Sequence, residues 1–128
     1  MLKNMVVARF KDGSLLKGQT SDFFPNKAIF HLELTDGEIM EINTEQLKSL
    51  FFVKDLAGDK DRVDTYDETI PGGGKKIEIR FTDGETLVGY SQGYSPARQG
   101  FFILPASKNS NNERIYIVRS ATEKVTFL

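Results

Sequence analysis

The sequence predicts an all-β protein made of two tandem five-stranded small barrels. The first observation is an internal repeat: the segment RFKDGSLLKG at 9–18 has a near copy, RFTDGETLVG, at 80–89. The second is the form of this segment, in which two β-type runs flank an Asp-Gly dipeptide, a strong hairpin signal. The third is a glycine inside the second run, which is typical of a bend or bulge that curls a small sheet. The chain is therefore interpreted as a duplication of one small β unit.

The repeat extends through most of each half of the chain. Eight positions recur at a spacing of 71 residues, from Arg9 and Arg80 to Phe30 and Phe101. Nearer the C-terminus the spacing becomes 75, as between Phe52 and Phe127. The extra residues of the second copy fall in the polar segment 106–112, between its third and fourth strands. Since insertions gather in loops and some loops carry function, this segment is a candidate for function, with a tolerated surface loop as the alternative.

Alternating apolar residues and turn signals place the elements of each unit. The first unit, residues 1–57, is predicted to contain strands near 5–10, 15–22, 28–34, 38–43 and 50–53, with Asp-Gly turns at 12–13 and 36–37 and one helical turn within 44–48. Either Asn43 or Thr44 is expected to cap that turn. In the second unit, residues 76–128, we expect Ile79, Phe81 and Leu87 to fill the core.

Residues 58–75 differ from both units and are interpreted as a linker. The segment 58–74 contains two basic and five acidic residues and ends in Pro-Gly-Gly-Gly. A run of glycines favours a flexible connection. A phosphate-binding loop is the alternative, but such a loop requires the N-terminus of a following helix, and here a strand is predicted to follow.

Composition excludes several classes of protein. The chain has 128 residues, of which 39% are hydrophobic and 27% charged, as in ordinary globular domains. It has no cysteine, which excludes disulfides and cysteine metal sites. No apolar run approaches the roughly 20 residues that span a bilayer, and the N-terminus lacks a signal-peptide core. We therefore expect a cytoplasmic protein that does not bind a membrane.

The sequence offers no pattern of catalytic or metal-ligating residues. His31 is the single histidine, and a metal site needs three or four ligands. The carboxylates of Asp12 and Asp83 are explained by their turns. The chain is therefore expected to have no enzymatic activity and no cofactor.

Groups suited to binding are concentrated in the second unit. From residue 75 onward, eight basic residues against five acidic ones give a net charge of +3. Aromatic rings beside guanidinium groups can stack bases and hold phosphates. The candidate ligand-binding residues are Tyr90, Tyr94, Arg98, Arg114 and Arg119. The tyrosines have an alternative role in packing the contact between the units, and Phe101 and Phe102 are assigned to the core.

Each unit resembles the Sm/LSm small barrel, a member of the SH3-like class. The resemblance is carried by the Asp-Gly hairpin with Leu87-Val88-Gly89, and by Ile117-Val118-Arg119-Ser120 before Val125-Thr126-Phe127. The chain departs from that family at two places. The position of the family's base-holding asparagine falls near Gln99-Gly100, and the family's Arg-Gly pair is replaced by Arg119-Ser120. The resemblance therefore implies a nucleic-acid contact at Arg119 alone. The duplicated chain is also similar to uncharacterised bacterial proteins of a domain family of unknown function.

Three functions follow as hypotheses. The first is a non-enzymatic binding module for a protein partner or for self-association. The second is binding of RNA or single-stranded nucleic acid by the basic second unit. The third, a sensor of a small molecule or cyclic dinucleotide, lacks the signature of PilZ domains. The resemblance to Sm proteins implies rings joined through edge strands, and both one pseudo-symmetric body and a six-unit ring of three chains stay open.

Overall fold

Ten β-strands and two 3-10 turns make up the computed structural model, which describes residues 3–54, 74–91, 98–105 and 112–128. The strands of the first unit are β1 (Asn4–Phe10), β2 (Leu15–Thr20), β3 (Ile29–Leu34), β4 (Ile39–Asn43) and β5 (Leu47–Val53). Those of the second unit are β6 (Lys76–Phe81), β7 (Thr86–Ser91), β8 (Gly100–Pro105), β9 (Asn112–Val118) and β10 (Thr122–Phe127). The 3-10 turns, Thr44–Gln46 and Arg119–Ala121, precede the last strand of each unit. No described helix has the length and apolar character needed to cross a membrane.

All ten strands belong to one antiparallel open sheet, in the order β10-β6-β7-β8-β9-β5-β1-β2-β3-β4. The all-β prediction is confirmed. The prediction of two tandem small barrels is not borne out, because each unit contributes five neighbouring strands to one continuous open sheet. Closing the first unit would require β4 to pair with β5. Instead β5 pairs with β1 on one side and with β9 of the second unit on the other.

The predicted Asp-Gly turns are confirmed in both units. Gly13 and Gly84 have φ of 92° and 93°, in the left-handed region that glycine adopts without strain. The Asp12 carboxylate accepts a hydrogen bond from the backbone N–H of Ser14 at 2.8 Å, and Asp83 accepts one from Glu85 at 3.0 Å. These bonds give the aspartates a local structural role.

The glycine inside the second strand of each unit allows close approach of the neighbouring backbone. A Cβ added to Gly18 would lie 2.2 Å from the carbonyl oxygen of Glu33, and one added to Gly89 would lie 2.5 Å from that of Leu104. Real Cβ atoms do not approach so closely, so the crossing from β2 to β3, and from β7 to β8, requires glycine. This explains why the repeat retains a glycine at both places.

Each unit has its own apolar core, and β9 contributes to both. Tyr116 and Val118 lie in the first core, with Val6, Ala8, Phe30, Leu32, Ile42, Leu47, Leu50 and Phe52. Ile115 and Ile117 lie in the second core, with Ile77, Ile79, Phe81, Phe101, Ile103 and Ala121. Because successive side chains point to opposite faces of a strand, β9 is buried on both faces. The predicted core residue Leu87 is partly buried against the second core.

Two predicted segments lie largely outside the described residues. Of the linker 58–75, Gly74 and Lys75 are described, so the bounds of the linker and units stay predictions. Of the polar segment 106–112, Asn112 is described as the first residue of β9. The helical turn predicted within 44–48 occupies Thr44–Gln46, with the Asn43 side chain accepting from the N–H of Glu45.

Candidate functional site at the seam and the outer edges

The two units meet where β5 pairs with β9, a contact that we call the seam. Ser49 lies opposite Ile117, Leu50 opposite Tyr116, and Phe51 opposite Ile115. Around the seam, Phe23, Phe52, Phe102 and Tyr116 pack edge to face or tilted, with ring centroids 5.0 to 6.4 Å apart. Aromatic contacts of this geometry add to the stability gained by burial alone. The seam is therefore packed like a protein interior.

An ionic cluster fastens the β6–β7 hairpin of the second unit to the first unit. The Lys48 ammonium lies 2.7 Å from carboxylate oxygens of both Asp83 and Glu85. Arg9 donates two hydrogen bonds to Glu85, at 2.9 and 3.1 Å. The Lys48 side chain is 6% exposed, and its ammonium lies 4.7 Å from the centre of the Phe81 ring. A buried ammonium needs such partners, because desolvation without them is costly.

The cluster holds both carboxylates in the charged form. Burial raises the pKa of Glu85, but hydrogen bonds from Arg9 and Lys48 outweigh it and lower that pKa overall. The hydrogen bond from Lys48, then that from the Glu85 N–H, lowers the pKa of Asp83. No local pattern in the sequence predicts this cluster, since it joins residues that are distant along the chain. The signal in the sequence was Lys48 inside the apolar strand LKSLFFV.

The outer edges of the sheet are β4 and β10, and each pairs with one described strand. Ile39 on β4 is 65% exposed, Phe127 on β10 is 51% exposed, and Leu128 beyond it is 66% exposed. Charged side chains share these edges, among them Glu41 and Glu123. An exposed strand edge offers backbone groups to another strand, and flanking charges restrain that pairing.

The structure brings three of the five predicted binding residues to neighbouring segments. Arg98 is exposed just before β8, Arg114 lies on β9, and Arg119 is exposed at the start of the second 3-10 turn. The Arg119 N–H donates to the Gln99 carbonyl at 2.9 Å, which places Arg119 beside the Arg98 segment. The Arg114 guanidinium lies 4.3 Å from the Phe52 ring centre and 4.8 Å from that of Phe102.

The two tyrosines are placed differently. Tyr90 on β7 is 6% exposed, so its ring is not available as a stacking surface in this structure. Tyr94 lies outside the described residues. Phe101 is buried and Phe102 is half-buried in the aromatic packing at the seam, as the assignment to the core predicted.

His31 is exposed and pairs with a carboxylate. Its Nδ1 lies 2.6 Å from Asp22 Oδ2, and its backbone N–H donates to Asp22 Oδ1 at 2.8 Å. Within the described ranges, no three histidine or carboxylate residues are grouped so that they could hold a metal ion. The arrangement around His31 therefore fixes the loop after β2 against β3.

In a comparison with protein families, the model of a family of unknown function (DUF6982) matches residues 2–128. The chain belongs to this family. No curated protein and no solved structure matches it.

Proposed function

We propose that this member of a family of unknown function is a non-enzymatic assembly module, whose outer edges β4 and β10 pair with the complementary edges of further copies. The observation that supports this most is the head-to-tail form of the seam. The fifth strand of the first unit pairs with the fourth strand of the second. Such a contact uses two different surfaces, so repeating it gives a ring or a filament.

The repeat specifies which residues would meet between copies. In the seam, Phe52 lies opposite Arg114. The spacing of 75 residues maps Phe52 onto Phe127 and Arg114 onto Ile39. The same register between copies places Phe127 opposite Ile39, which joins the two large exposed apolar side chains of β10 and β4. Because both side chains are already partly buried, burying the rest of each contributes on the order of 1 kcal/mol.

The contact between copies is expected to be weaker than the seam. Lys48 is replaced at the equivalent position by Glu123, and Tyr116 by Glu41. The equivalent of Asp83 is Asp12. Between copies, the Glu123 carboxylate would therefore lie near the Asp12 carboxylate, where the seam has the Lys48 ammonium near Asp83. Charges at edges oppose uncontrolled pairing. We therefore propose reversible association at high concentration, with dissociation constants on the order of micromolar to millimolar.

The relation to Sm/LSm-like barrels belongs to the same proposal. It is supported by the equivalent strand order of the two units, with the fifth strand beside the first, and by the close backbone approach at Gly18 and Gly89. In this proposal the units are open relatives of a small barrel that complete their packing by pairing with neighbouring units. We also propose that the protein acts in the cytoplasm and has no catalytic activity.

Sedimentation velocity over a concentration series tests the assembly. Wild-type protein is expected to form larger species as its concentration rises toward about 1 mM. Ile39→Asp and Phe127→Asp each place a charge on one outer edge and are expected to abolish growth. Leu15→Asp is the matched control, because Leu15 is 51% exposed on β2, away from the outer edges. A wild-type monomer throughout, or equal effects of all three variants, would contradict the proposal.

Binding of single-stranded nucleic acid is a second candidate, favoured by the adjacent exposed arginines Arg98 and Arg119. Fluorescence anisotropy with a labelled single-stranded RNA would test it. Affinity should fall steeply between 50 and 200 mM salt, which are about the concentrations at which phosphate contacts weaken. Arg119→Ala should weaken binding, and Arg80→Ala, at an exposed arginine on β6, serves as control. The absence of binding at low salt would end this hypothesis.

A further inference from the structure

A cleft of about 620 Å³ opens between the loop after β2 in the first unit and the start of β8 in the second. Its volume lies in the range of about 300–1,000 Å³ that is typical of small-molecule sites. The residues around it are Pro25, Asn26, Arg98, Gln99, Gly100, Phe101, Phe102 and Tyr116. The cleft therefore draws on both repeats, and neither unit would form it alone.

Gln99 holds the two walls of the cleft together. Its side-chain amide donates to the carbonyl oxygens of Pro25, at 3.0 Å, and Lys27, at 3.2 Å. The backbone carbonyl of Gln99 accepts a hydrogen bond from the backbone N–H of Arg119. These bonds fix the loop of the first unit against β8, so the cleft is pre-formed.

Tyr116 supplies a polar group that the fold itself does not use. Its side chain is 1% exposed, and its hydroxyl has no hydrogen-bond partner among the described residues. Burial raises the pKa of Tyr116 and outweighs the nearby Gln99 side-chain amide, which lowers it. Both N–H groups of that amide donate to the carbonyl oxygens of Pro25 and Lys27, so the amide does not serve as a partner of the hydroxyl. The hydroxyl therefore stays protonated at neutral pH and can donate. A buried hydroxyl without a partner is costly unless a ligand or water satisfies it.

Gly100 brings that hydroxyl to the wall of the cleft. A Cβ at this position would lie 2.6 Å from the Tyr116 hydroxyl oxygen and 2.5 Å from its Cζ. A larger residue would displace the ring or block its approach. The second repeat has glycine here where the first has Ile29, so the geometry is specific to the second unit.

The charge of the cleft selects an anion. Among the described residues that line it, Arg98 is the charged one, and none is a carboxylate. Arg98 is exposed and takes part in none of the ion pairs found among the described residues. Pro25, Phe101 and Phe102 form an apolar part of the wall, beside the polar side chains of Asn26 and Gln99. An anionic group can pair with the guanidinium while an apolar body lies against this wall.

We propose that the cleft binds a small organic anion, a carboxylate or phosphate on a flat apolar body. Its anionic group contacts Arg98, and a polar atom of its body accepts from the Tyr116 hydroxyl once the ligand has entered. A free metabolite and the terminal nucleotide of a single strand share this chemistry. The proposal is independent of assembly, because no residue of the cleft lies on β4 or β10.

Titration of the ¹⁵N-labelled full chain by NMR tests the site, with benzoate, adenosine monophosphate, neutral adenosine and inorganic phosphate as probes. Benzoate or adenosine monophosphate is expected to shift the amide signals of Asn26 and Gln99–Phe102. Adenosine lacks the anionic group and inorganic phosphate lacks the apolar body, so each should bind at least about tenfold more weakly. A labelled RNA oligonucleotide with and without a terminal phosphate distinguishes a strand end from a free metabolite.

Variants assign the binding to the cleft. Arg98→Ala should weaken binding about tenfold, as expected for loss of one charge-assisted hydrogen bond. Tyr116→Phe keeps the ring and should weaken binding a few-fold, and Arg80→Ala should leave it unchanged. Ile39→Asp, which blocks assembly, should also leave it unchanged, so that failure of the two proposals can be told apart. The site would be overturned if neither benzoate nor adenosine monophosphate shifted these signals at about 10 mM. An equal loss of affinity in Arg98→Ala and Arg80→Ala would overturn it as well.

Discussion

At the scale of single residues, Lys48 shows how one side chain joins the repeats. Its ammonium pairs with Asp83 and Glu85 of the second unit while its stem is buried in the first. Removing a buried charge leaves its partners without compensation, whereas an apolar side chain of similar volume can be tolerated.

Lys48→Ala is therefore expected to lower the free energy of unfolding by about 1–3 kcal/mol. Lys48→Met should cost less, because methionine retains the buried stem. Urea denaturation measures both, and Lys17→Ala, at an exposed position on β2, should change stability by no more than about 0.5 kcal/mol. A Lys48→Ala protein as stable as the control would show that the ionic cluster does not stabilise the contact between the two units.

The same cluster predicts a dependence of stability on pH. The folded-state pKa of Glu85 lies below its ordinary value of 4.5, and that of Asp83 lies below 3.8. A depressed folded pKa stabilises the fold above the unfolded pKa, and this contribution is lost as pH falls through the folded value. Unfolding free energy should therefore be constant near neutrality and decrease below about pH 4.5.

Glu85→Gln tests this assignment. The variant should be less stable than wild type at pH 7 and should lose less stability between pH 5 and pH 3, which are about the limits of the carboxylate transition. Urea denaturation at a series of pH values gives both quantities. Parallel curves for wild type and variant would mean that Glu85 does not carry the effect.

At the scale of elements, the close approach at Gly18 and Gly89 permits the sharp crossing of each unit. Gly18→Ala and Gly89→Ala should each destabilise by about 1–3 kcal/mol, since the added methyl collides with a backbone carbonyl. Thermal unfolding followed by circular dichroism measures the loss. Lys17→Ala, beside Gly18, is the control, and an unchanged melting temperature for the glycine variants would contradict the close approach.

Local patterns predicted the elements well and their long-range pairing poorly. The Asp-Gly turns and the inward faces of the strands follow from short-range rules, so they could be read from the repeat. The arrangement as two separate small barrels was predicted wrongly, because strand pairing depends on partners far apart in the chain. A local sign of the seam was β9, whose consecutive run Ile115-Tyr116-Ile117-Val118 is apolar on both faces, as in a buried strand.

The candidate site was predicted in part. The residues Arg98, Arg114 and Arg119 do lie on neighbouring segments, because β8 and β9 are paired. Tyr90 is buried. The alternating pattern of the strand did not determine whether this side chain faces the core or the solvent. The cleft could not be predicted, since Asn26 and Arg98 come together through the seam.

At the scale of the whole molecule, β9 links the two cores. Because it contributes Tyr116 to one core and Ile117 to the other, the units should unfold in a single cooperative transition. Calorimetry should give equal calorimetric and van't Hoff enthalpies. Two separate transitions would show that the seam does not couple the units.

The difference between the seam and the outer edges predicts a way to strengthen assembly. Glu123→Lys places a cation at the position equivalent to Lys48, where it can reach Asp12 of the next copy as Lys48 reaches Asp83. Association should tighten about tenfold, and the gain should shrink at high salt. Glu78→Lys, which changes the charge equally on β6, is the control. Equal tightening in both variants would attribute the effect to net charge.

The most direct test of head-to-tail pairing is sedimentation velocity of Ile39→Asp and Phe127→Asp proteins, alone and mixed. The first retains an intact β10 edge and the second an intact β4 edge. Each alone should stay monomeric, and the mixture should form a dimer with one copy of each and grow no further. A mixture that stays monomeric, while wild-type protein associates, would contradict pairing between β4 and β10.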